Sequence, residues 1–300
     1  MMATSLFNPL RLKIPFLFDI LFVSDPEHIR QIETSGVVDR MHRYDTAALP
    51  WWVKFFFKAT KFHDDTRDLW FCPLESTSNP TYSRRRAYFE DKVSIGYSAG
   101  DVRKIADLLK ANAADEALAY EMVQIVNHRF FEQEVPLPII RAAKYTLQNL
   151  GESIWPWKYR RGRESQQQIM DYCARTLPQG VHILDIGHNI GEVVQATAGA
   201  LRRLKDNLDT PVEEIFTTHA PTPQVLRIAT AASTFDGLLW LPTHAGQTII
   251  ILKIGRAAAQ TGDILFTFST GGADRACVFK EFFLNFMKDL QRVLKEQVPT

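Results

Sequence analysis

The residues with the clearest chemical potential lie in the segment FSTGGADRACVFKEFF, residues 268–283. Cys277 comes just before a helical pattern, and the unpaired N–H groups at a helix start favour a negatively charged sulfur. Arg275 lies two residues earlier, and Gly271 and Gly272 would let the backbone approach a flat ligand closely. These features suit a thiolate ligand to a metal, and they equally suit a buried cysteine that binds nothing.

A second candidate is the segment GVHILDIGHNIGEVVQATAGALRRLKDN, whose apolar residues recur every 3.6 residues and predict a long helix at about 181–206. Gly187 and Gly191 each cost ~1 kcal/mol relative to alanine inside a helix, so we expect another backbone or a flat ligand close by. His188 and Glu192 are candidate acid/base groups. The alternatives are a hydrogen-bonded core histidine and a solvated helix residue.

The composition bounds what these residues can do. The chain has 300 residues, is 46% hydrophobic and 23% charged, and carries a formal net charge of +1. These are ordinary globular values that give no general reason to expect nucleic acid as a partner. The three cysteines are too widely spaced for a zinc cluster or a disulfide framework, so the reducing cytoplasm is the simplest compartment.

The apolar N-terminus is interrupted by charged residues and prolines. No run reaches the ~20 apolar residues that a membrane helix needs, and the layout of a signal peptide is missing. We therefore expect no transmembrane segment, although peripheral contact with a membrane stays open.

The elements that must position these residues follow from hydrophobic patterning. FLFDILFV predicts a strand that ends at Val23, and Asp25 followed by proline is typical of a capped helix start. Gly36 would end that helix. The segments VLRIATAAS and TIIILKIG predict strands. Periodicity predicts further helices over 101–133, after Pro138, over 164–176 and over about 279–296. We therefore expect one mainly α domain with a small β subdomain built from both ends of the chain.

Three further local runs stand out by their composition. PWWVKFFFKATKF, residues 50–62, is either a buried amphipathic helix or the lid of an apolar pocket. The basic runs SRRRAYF, residues 83–89, and KYRRGR, residues 158–163, are typical of a solvated helix or loop surface.

In their order along the chain, these segments resemble the cytochrome P450 superfamily of haem-thiolate proteins. LFVSDPEHIRQI is similar to its early strand–helix unit, and PVEEIFTTHAPTPQVLRIATAASTFDG to its K helix and the following strand. FSTGGADRACVF is similar to its cysteine loop, here 268–279, with Phe268, Arg275 and Cys277 at matching positions. The resemblance implies a single P450-like domain over 1–300, reduced in size, that binds haem b (iron protoporphyrin IX) through the thiolate of Cys277.

The resemblance also implies groups that hold the haem propionates. NPTYSRRRAYF is similar to the family's C helix and its PxHxxxR pattern, in which Arg86 fits and Tyr82 replaces the histidine. HDDTR offers His63 and Arg67 as a second candidate pair for the same role. Arg227, in VLRIAT, is expected to meet a propionate.

The glycine-bearing helix resembles the family's long I helix, which crosses the distal face of the haem. The resemblance therefore places Gly187, His188, Gly191 and Glu192 on that side. Glu192 and His188 become the catalytic candidates, acting on a small apolar organic substrate that the aromatic stretch 51–57 could cover.

Departures from the family pattern bear on the mechanism. Glu214 is followed by Thr217 where the arginine of the ExxR motif is expected, and Phe279 replaces a glycine after the cysteine. The acid–alcohol pair of the I helix is Glu192–Val193, which lacks the hydroxyl. We therefore expect peroxide use, rearrangement or dehydration rather than ordinary monooxygenation, with a redox partner protein only if electrons are needed. The alternative is a non-catalytic P450-like protein that binds a ligand or a partner chain.

Overall fold

The structure is a computed structural model, and it describes residues 9–14, 18–39, 63–64, 69–70, 80–131, 133–146, 155–268 and 276–296. In chain order its elements are β1 (Leu10–Ile14), β2 (Phe18–Val23), α1 (Pro26–Thr34), β3 (Val38–Asp39), β4 (His63–Asp64), β5 (Leu69–Trp70), α2 (Tyr82–Ser94), α3 (Ala99–Lys110), α4 (Asp115–Asn127), α5 (Leu137–Ala143), α6 (Pro156–Thr176), α7 (Ile183–Asp206), α8 (Val212–Thr218), β6 (Val225–Ala229), β7 (Thr248–Leu252), α9 (Ile254–Thr261), a 3₁₀ helix (Ile264–Phe268) and α10 (Lys280–Glu296). Helix predominates, which confirms the predicted mainly α class with a small β part.

The chain divides into two compact units. Unit 1 takes its described residues from Met1–Lys54 and Phe216–Cys277, and unit 2 from Phe55–Cys72, Pro80–Ile215 and Val278–Thr300. The expectation of one P450-like domain over 1–300 stays a prediction.

Unit 1 contains a mixed sheet with strand order β1-β2-β7-β6-β3. β2 runs parallel to β7, with Ile20 opposite Ile249, and the other pairs are antiparallel. The two central partners come from opposite ends of the sequence, which confirms the prediction that both chain ends build the β part. One hydrophobic core joins the sheet to α1 and α9 through residues that include Leu21, Ile32, Ile250, Ala257 and Phe266.

The start of α1 shows why the sequence pattern was informative. β2 ends at Val23, as predicted. The Asp25 carboxylate accepts hydrogen bonds from the backbone N–H groups of Glu27 and His28, at 3.0 and 3.1 Å. A side-chain oxygen followed by proline thus satisfies the open end of the helix.

A buried carboxylate on β2 links the side chains of three neighbouring strands at the β1 edge of the sheet in unit 1. Asp19 accepts hydrogen bonds from the Arg11 guanidinium at 2.7 and 2.6 Å and from the Thr248 hydroxyl at 2.6 Å. Burial by itself would raise the pKa of Asp19, but the hydrogen bonds from Arg11 and Thr248 outweigh it and lower the pKa.

Unit 2 is built around α7, which packs against α4, α5, α6 and α10. The predicted helix at about 181–206 is confirmed as Ile183–Asp206. Its buried face includes Ile186, Ile190, Leu201 and Leu204 at the spacing expected of an amphipathic helix, so the 3.6-residue period identified the element correctly.

Several predicted boundaries are wrong for local reasons. The helix predicted over 101–133 is two helices, because Asn112 adopts a positive φ of 51° between α3 and α4. Asparagine tolerates that conformation better than most residues. The helix predicted over 164–176 begins at Pro156, where proline is favoured in the first turn. The aromatic segment 50–62 lies outside the described residues.

Candidate functional site

Cys277 is exposed and lies at the end of unit 1. Its backbone N–H donates a hydrogen bond of 3.0 Å to the carbonyl of Phe268, the last residue of the 3₁₀ helix. This hydrogen bond joins Cys277 to Phe268, the first residue of the predicted cysteine loop, and Cys277 is exposed. Arg275 and the two glycines of the loop, Gly271 and Gly272, lie outside the described residues.

Phe279, which replaces the glycine of the family pattern, belongs to unit 2. Its ring packs edge-on against those of Phe89 and Phe282, each at a centroid distance of 6.3 Å. The ring also occupies a half-buried position just before α10 begins at Lys280. The substitution therefore gives this part of the chain an aromatic contact that glycine could not make.

The candidate acid/base residues of α7 lie together. His188 Nε2 is 2.9 Å from Glu192 Oε1, as expected for residues four apart on one helix face. The His188 side chain is 5% exposed, whereas that of Glu192 is 44% exposed. A proton could therefore pass between a buried ring and a carboxylate that reaches solvent. Gly187 and Gly191 are both buried on the same helix.

The basic run of α2 separates into residues with different environments. Arg86, the predicted propionate ligand, is half-buried and pairs with Glu90 at 2.8 Å within the same helix. Arg85 points into the core instead, on the buried face that it shares with Tyr82 and Phe89. The spacing of these three residues was a signal that could have identified Arg85 from the sequence.

Sequence reasoning missed the buried ion pair between α2 and α7. Arg85 Nε donates to Asp185 Oδ2 at 2.8 Å and Nη2 donates to Oδ1 at 2.5 Å. The two side chains are 4% and 2% exposed. His182 Nδ1 lies 3.5 Å from the same carboxylate. The pair is separated by 100 residues, so nothing in the local sequence around Asp185 indicated its partner.

A buried amide pair in unit 2 was also missed. Asn189 Nδ2 donates to Asn127 Oδ1 at 2.9 Å, and both residues are buried. Asn189 follows His188 directly in α7, so this contact to α4 helps to fix the rotation of the helix at the candidate acid/base pair.

Arg227 lies on β6 and is buried in unit 1. Its Nε is 2.8 Å from Glu33 Oε1, and its Nη1 donates to the carbonyl of Leu226 at 2.9 Å. Glu33, at the end of α1, is equally buried. A haem propionate would be a second anion at this guanidinium, which has five N–H donors in total.

The remaining predicted residues are only partly described. His63 lies in the short strand β4, without a described side chain, and Arg67 lies outside the described residues. Thr217, at the position expected for arginine, is buried at the end of α8. Within the described part of the chain, no cluster of three or more histidine, cysteine or acidic residues is arranged to hold a metal ion. No helix there is both long and apolar enough to cross a bilayer.

Comparison with known proteins gives a result at the level of structure. No protein-family sequence model and no curated protein sequence matches the chain significantly. P450BioI, solved in complex with hexadec-9Z-enoic acid ligated acyl carrier protein, matches with a TM-score of 0.62 at 13% identity, covering 96% of this chain and 86% of its own. Cytochrome P450 OleT, in complex with arachidonic acid, matches with a TM-score of 0.62 at 10% identity over 95% and 82%. Cytochrome P450SP alpha, in complex with (R)-ibuprophen, matches with a TM-score of 0.60 at 13% identity over 96% and 85%.

These identities are too low to carry an activity across, but the matches extend over nearly the whole chain. The chain therefore adopts the cytochrome P450 fold.

Proposed function

We propose that the protein is a haem-thiolate oxidoreductase of P450 type that acts on an apolar organic substrate by a non-standard route. The observation that carries the proposal is an exposed cysteine, Cys277, at the cysteine-loop position of a chain with the P450 fold. An accessible thiol can lose its proton and bind iron, whereas a buried thiol such as Cys173, whose pKa is raised to about 12 by burial, cannot do so readily.

The residues present fit haem to different degrees. Cys277 supplies a soft sulfur donor, the ligand type of haem-thiolate proteins. The Arg86–Glu90 pair is a partly exposed pair within one helix, and such pairs are worth about 0.3–0.5 kcal/mol. The loss of the Glu90 contact would therefore cost Arg86 little if a propionate replaced it. Arg227 already pairs with buried Glu33, so a propionate could bind to Arg227 only as a second hydrogen-bond acceptor beside Glu33.

A bound haem-thiolate group would supply the oxidising or Lewis-acid chemistry. The chain's own contribution is proton control by His188 and Glu192. Val193 cannot donate a proton where the family pattern has a hydroxyl. His188 can hold a proton at Nε2 and exchange it with Glu192 Oε1 across 2.9 Å, and the exposed side of Glu192 can exchange it with solvent. Such a pair favours peroxide use, rearrangement or dehydration.

Long acyl chains are the first substrates to test. The structures of OleT and P450BioI hold arachidonic acid and a hexadecenoic acid ligated to acyl carrier protein. We extend that substrate class to this chain as part of the proposal.

Haem binding is tested by expressing the full chain with a haem precursor and recording the spectrum of the ferrous protein with carbon monoxide. We expect a red-shifted Soret band, as thiolate ligation gives, and its loss in Cys277→Ser. Cys173→Ser is the matched control and should keep the wild-type spectrum. A protein that takes up no haem, or a Cys277→Ser variant with an unchanged spectrum, would contradict the proposal.

The reaction type is tested on the haem-loaded protein. Turnover of a long-chain fatty acid with hydrogen peroxide is compared with turnover by a reductase system. We expect the peroxide reaction to dominate, and His188→Gln and Glu192→Gln each to slow it by roughly a hundredfold, as loss of a general acid/base does. Faster turnover with the reductase, or unaffected variants, would refute the assigned route.

A non-catalytic ligand-binding or partner-binding protein is the second candidate. The observation that favours it is Thr217, a buried residue at the position where the family pattern requires an arginine. This candidate predicts that the folded chain binds long-chain fatty acids with no turnover under either condition.

A further inference from the structure

The start of α6 carries an exposed cluster of aromatic and basic side chains. We call it the aromatic–basic patch and define it by Trp155, Trp157, Lys158, Arg160 and Arg161. The patch belongs to unit 2, and neither the haem proposal nor the acid/base pair of α7 uses it.

The two indoles of the patch are presented to solvent. Trp155 and Trp157 are 48% and 63% exposed. Their rings stack on each other at a centroid distance of 5.1 Å and an interplanar angle of 25°. Two adjacent tryptophans that remain this exposed after stacking form an apolar surface of the kind that marks an interaction site.

The charge of the patch is strongly positive. Residues 155–163 contain four basic residues and no acidic one, although the whole chain has a formal charge of only +1. Arg160, whose side chain is 82% exposed, pairs with Glu164 at 2.8 Å, the first carboxylate along the helix. Positive charge at this end of a helix is unfavourable, because the helix dipole is positive there too. An anionic partner would reduce both the repulsion among the basic side chains and their repulsion from the positive end of the helix dipole.

One arginine of the patch also lines a neighbouring groove. Arg161 lies over the ring of Tyr145, with its guanidinium carbon 3.5 Å from the ring centroid. The same arginine lines a groove of about 400 Å³ between α5 and α6, together with Arg141, Glu164 and Ser165. Arg141 pairs with Glu116 at 2.8 Å. The groove therefore carries charges of both signs, and the excess of positive charge lies at the start of α6 itself.

We propose that the aromatic–basic patch docks the protein on the surface of an anionic lipid bilayer. Tryptophan is favoured at the bilayer interface, since its ring can enter the apolar region while its N–H stays hydrated. Basic side chains within the next turn of the helix would lie at the level of the headgroups. Exposed indoles and excess positive charge occur together, and this combination favours a lipid surface over a purely polyanionic partner.

The proposal is tested by vesicle sedimentation of the full chain. Vesicles of phosphatidylcholine alone are compared with vesicles that also contain phosphatidylserine, at low and high salt. We expect binding to the phosphatidylserine vesicles that weakens at high salt. Replacing Trp155 and Trp157 together by alanine should weaken it by roughly tenfold or more. Each of Lys158→Gln and Arg161→Gln should weaken it by roughly fivefold.

Matched controls come from other exposed residues. Trp240, which is fully exposed in unit 1, is replaced by alanine, and Arg292 and Lys295 of α10 are replaced by glutamine. We expect these variants to bind as the wild type does. The far-UV circular dichroism of each variant checks that it folds, and the salt dependence of the wild type is a test that needs no variant.

Three results would overturn the proposal. They are no sedimentation with either vesicle, equal sedimentation with both at low salt, and a tryptophan double variant that binds as the wild type does. Binding of duplex RNA at lower concentration than phosphatidylserine vesicles would assign the patch to nucleic acid instead.

Discussion

The buried pair of Arg85 and Asp185 yields the sharpest prediction about stability. Asp185→Asn changes the charge with almost no change of size. In the wild type the two groups share hydrogen bonds of 2.8 and 2.5 Å, and their side chains are 4% and 2% exposed. The substitution would therefore leave a guanidinium buried opposite a neutral amide.

The magnitude follows from the geometry. Two unit charges at ~4 Å interact by about 4 kcal/mol at an effective dielectric constant near 20. Removing one partner of a buried pair typically costs about 3–5 kcal/mol, since the remaining charge stays desolvated. The free energy of unfolding of a native protein is about 5–15 kcal/mol, so Asp185→Asn should remove a large fraction of it. The apolar double variant Arg85→Met/Asp185→Leu should recover most of it, because no charge is left buried.

The assay is urea denaturation of the wild type, Asp185→Asn, the single variants Arg85→Met and Asp185→Leu, and the double variant. The exposed pair Arg160–Glu164 is the matched control, and Arg160→Ala should cost less than about 0.5 kcal/mol. An Asp185→Asn variant within ~0.5 kcal/mol of the wild type would refute the assigned energy. A double variant as unstable as the sum of the single variants would show that the two groups do not interact energetically.

Three further predictions concern single positions. In the native protein an aromatic disulfide reagent at mild alkaline pH should label the exposed Cys277 and not the buried Cys173. Labelling should therefore decrease in Cys277→Ser and stay unchanged in Cys173→Ser. Because the pKa of Asp19 is lower in the folded state, its ionised form stabilises the fold at pH values above the ordinary aspartate pKa. This stabilisation is lost as the pH falls through the folded-state pKa. The urea midpoint of Asp19→Asn should therefore depend less on pH below about 4 than that of the wild type. Gly262→Ala should lower the free energy of unfolding by roughly 1 kcal/mol, because Gly262 has a φ of +69°. Gly199 lies in open space within α7, so Gly199→Ala should raise it by about 0.5–1 kcal/mol. Equal effects of the two substitutions in thermal denaturation would contradict this reasoning.

The fold was predictable where one periodic pattern settles the structure. The period of α7 and the capping pattern at Asp25 are local, and both were correctly predicted. The division between α3 and α4 depends on a single residue, Asn112, in a left-handed conformation that the apolar pattern does not reveal. The start of α6 was missed because the segment after Pro156 carries charge rather than an apolar period.

The site was less predictable because its polar contacts join distant parts of the chain. The α2 run contains three successive arginines, and only the spacing with Tyr82 and Phe89 distinguishes Arg85 as the buried one. Its partner Asp185, and the Glu33 that binds Arg227, have no local signature. A family resemblance identifies which positions to consider, but the contacts of each side chain decide what it can still bind.

The two candidate propionate ligands, Arg86 and Arg227, differ in the energetic cost of leaving their carboxylate partners. Glu90 is 53% exposed, so water can solvate it when Arg86 leaves. Glu33 is buried, and withdrawing Arg227 would leave its charge without compensation, at a cost of about 3–5 kcal/mol. We therefore expect Arg86→Gln to weaken haem retention with little loss of stability. Arg227→Gln should destabilise the fold whether or not haem binds, and haem loss in that variant would not identify a propionate ligand. Haem titration and urea denaturation of both variants separate the two effects, and an Arg86→Gln protein that retains haem as well as the wild type would remove Arg86 from the binding role.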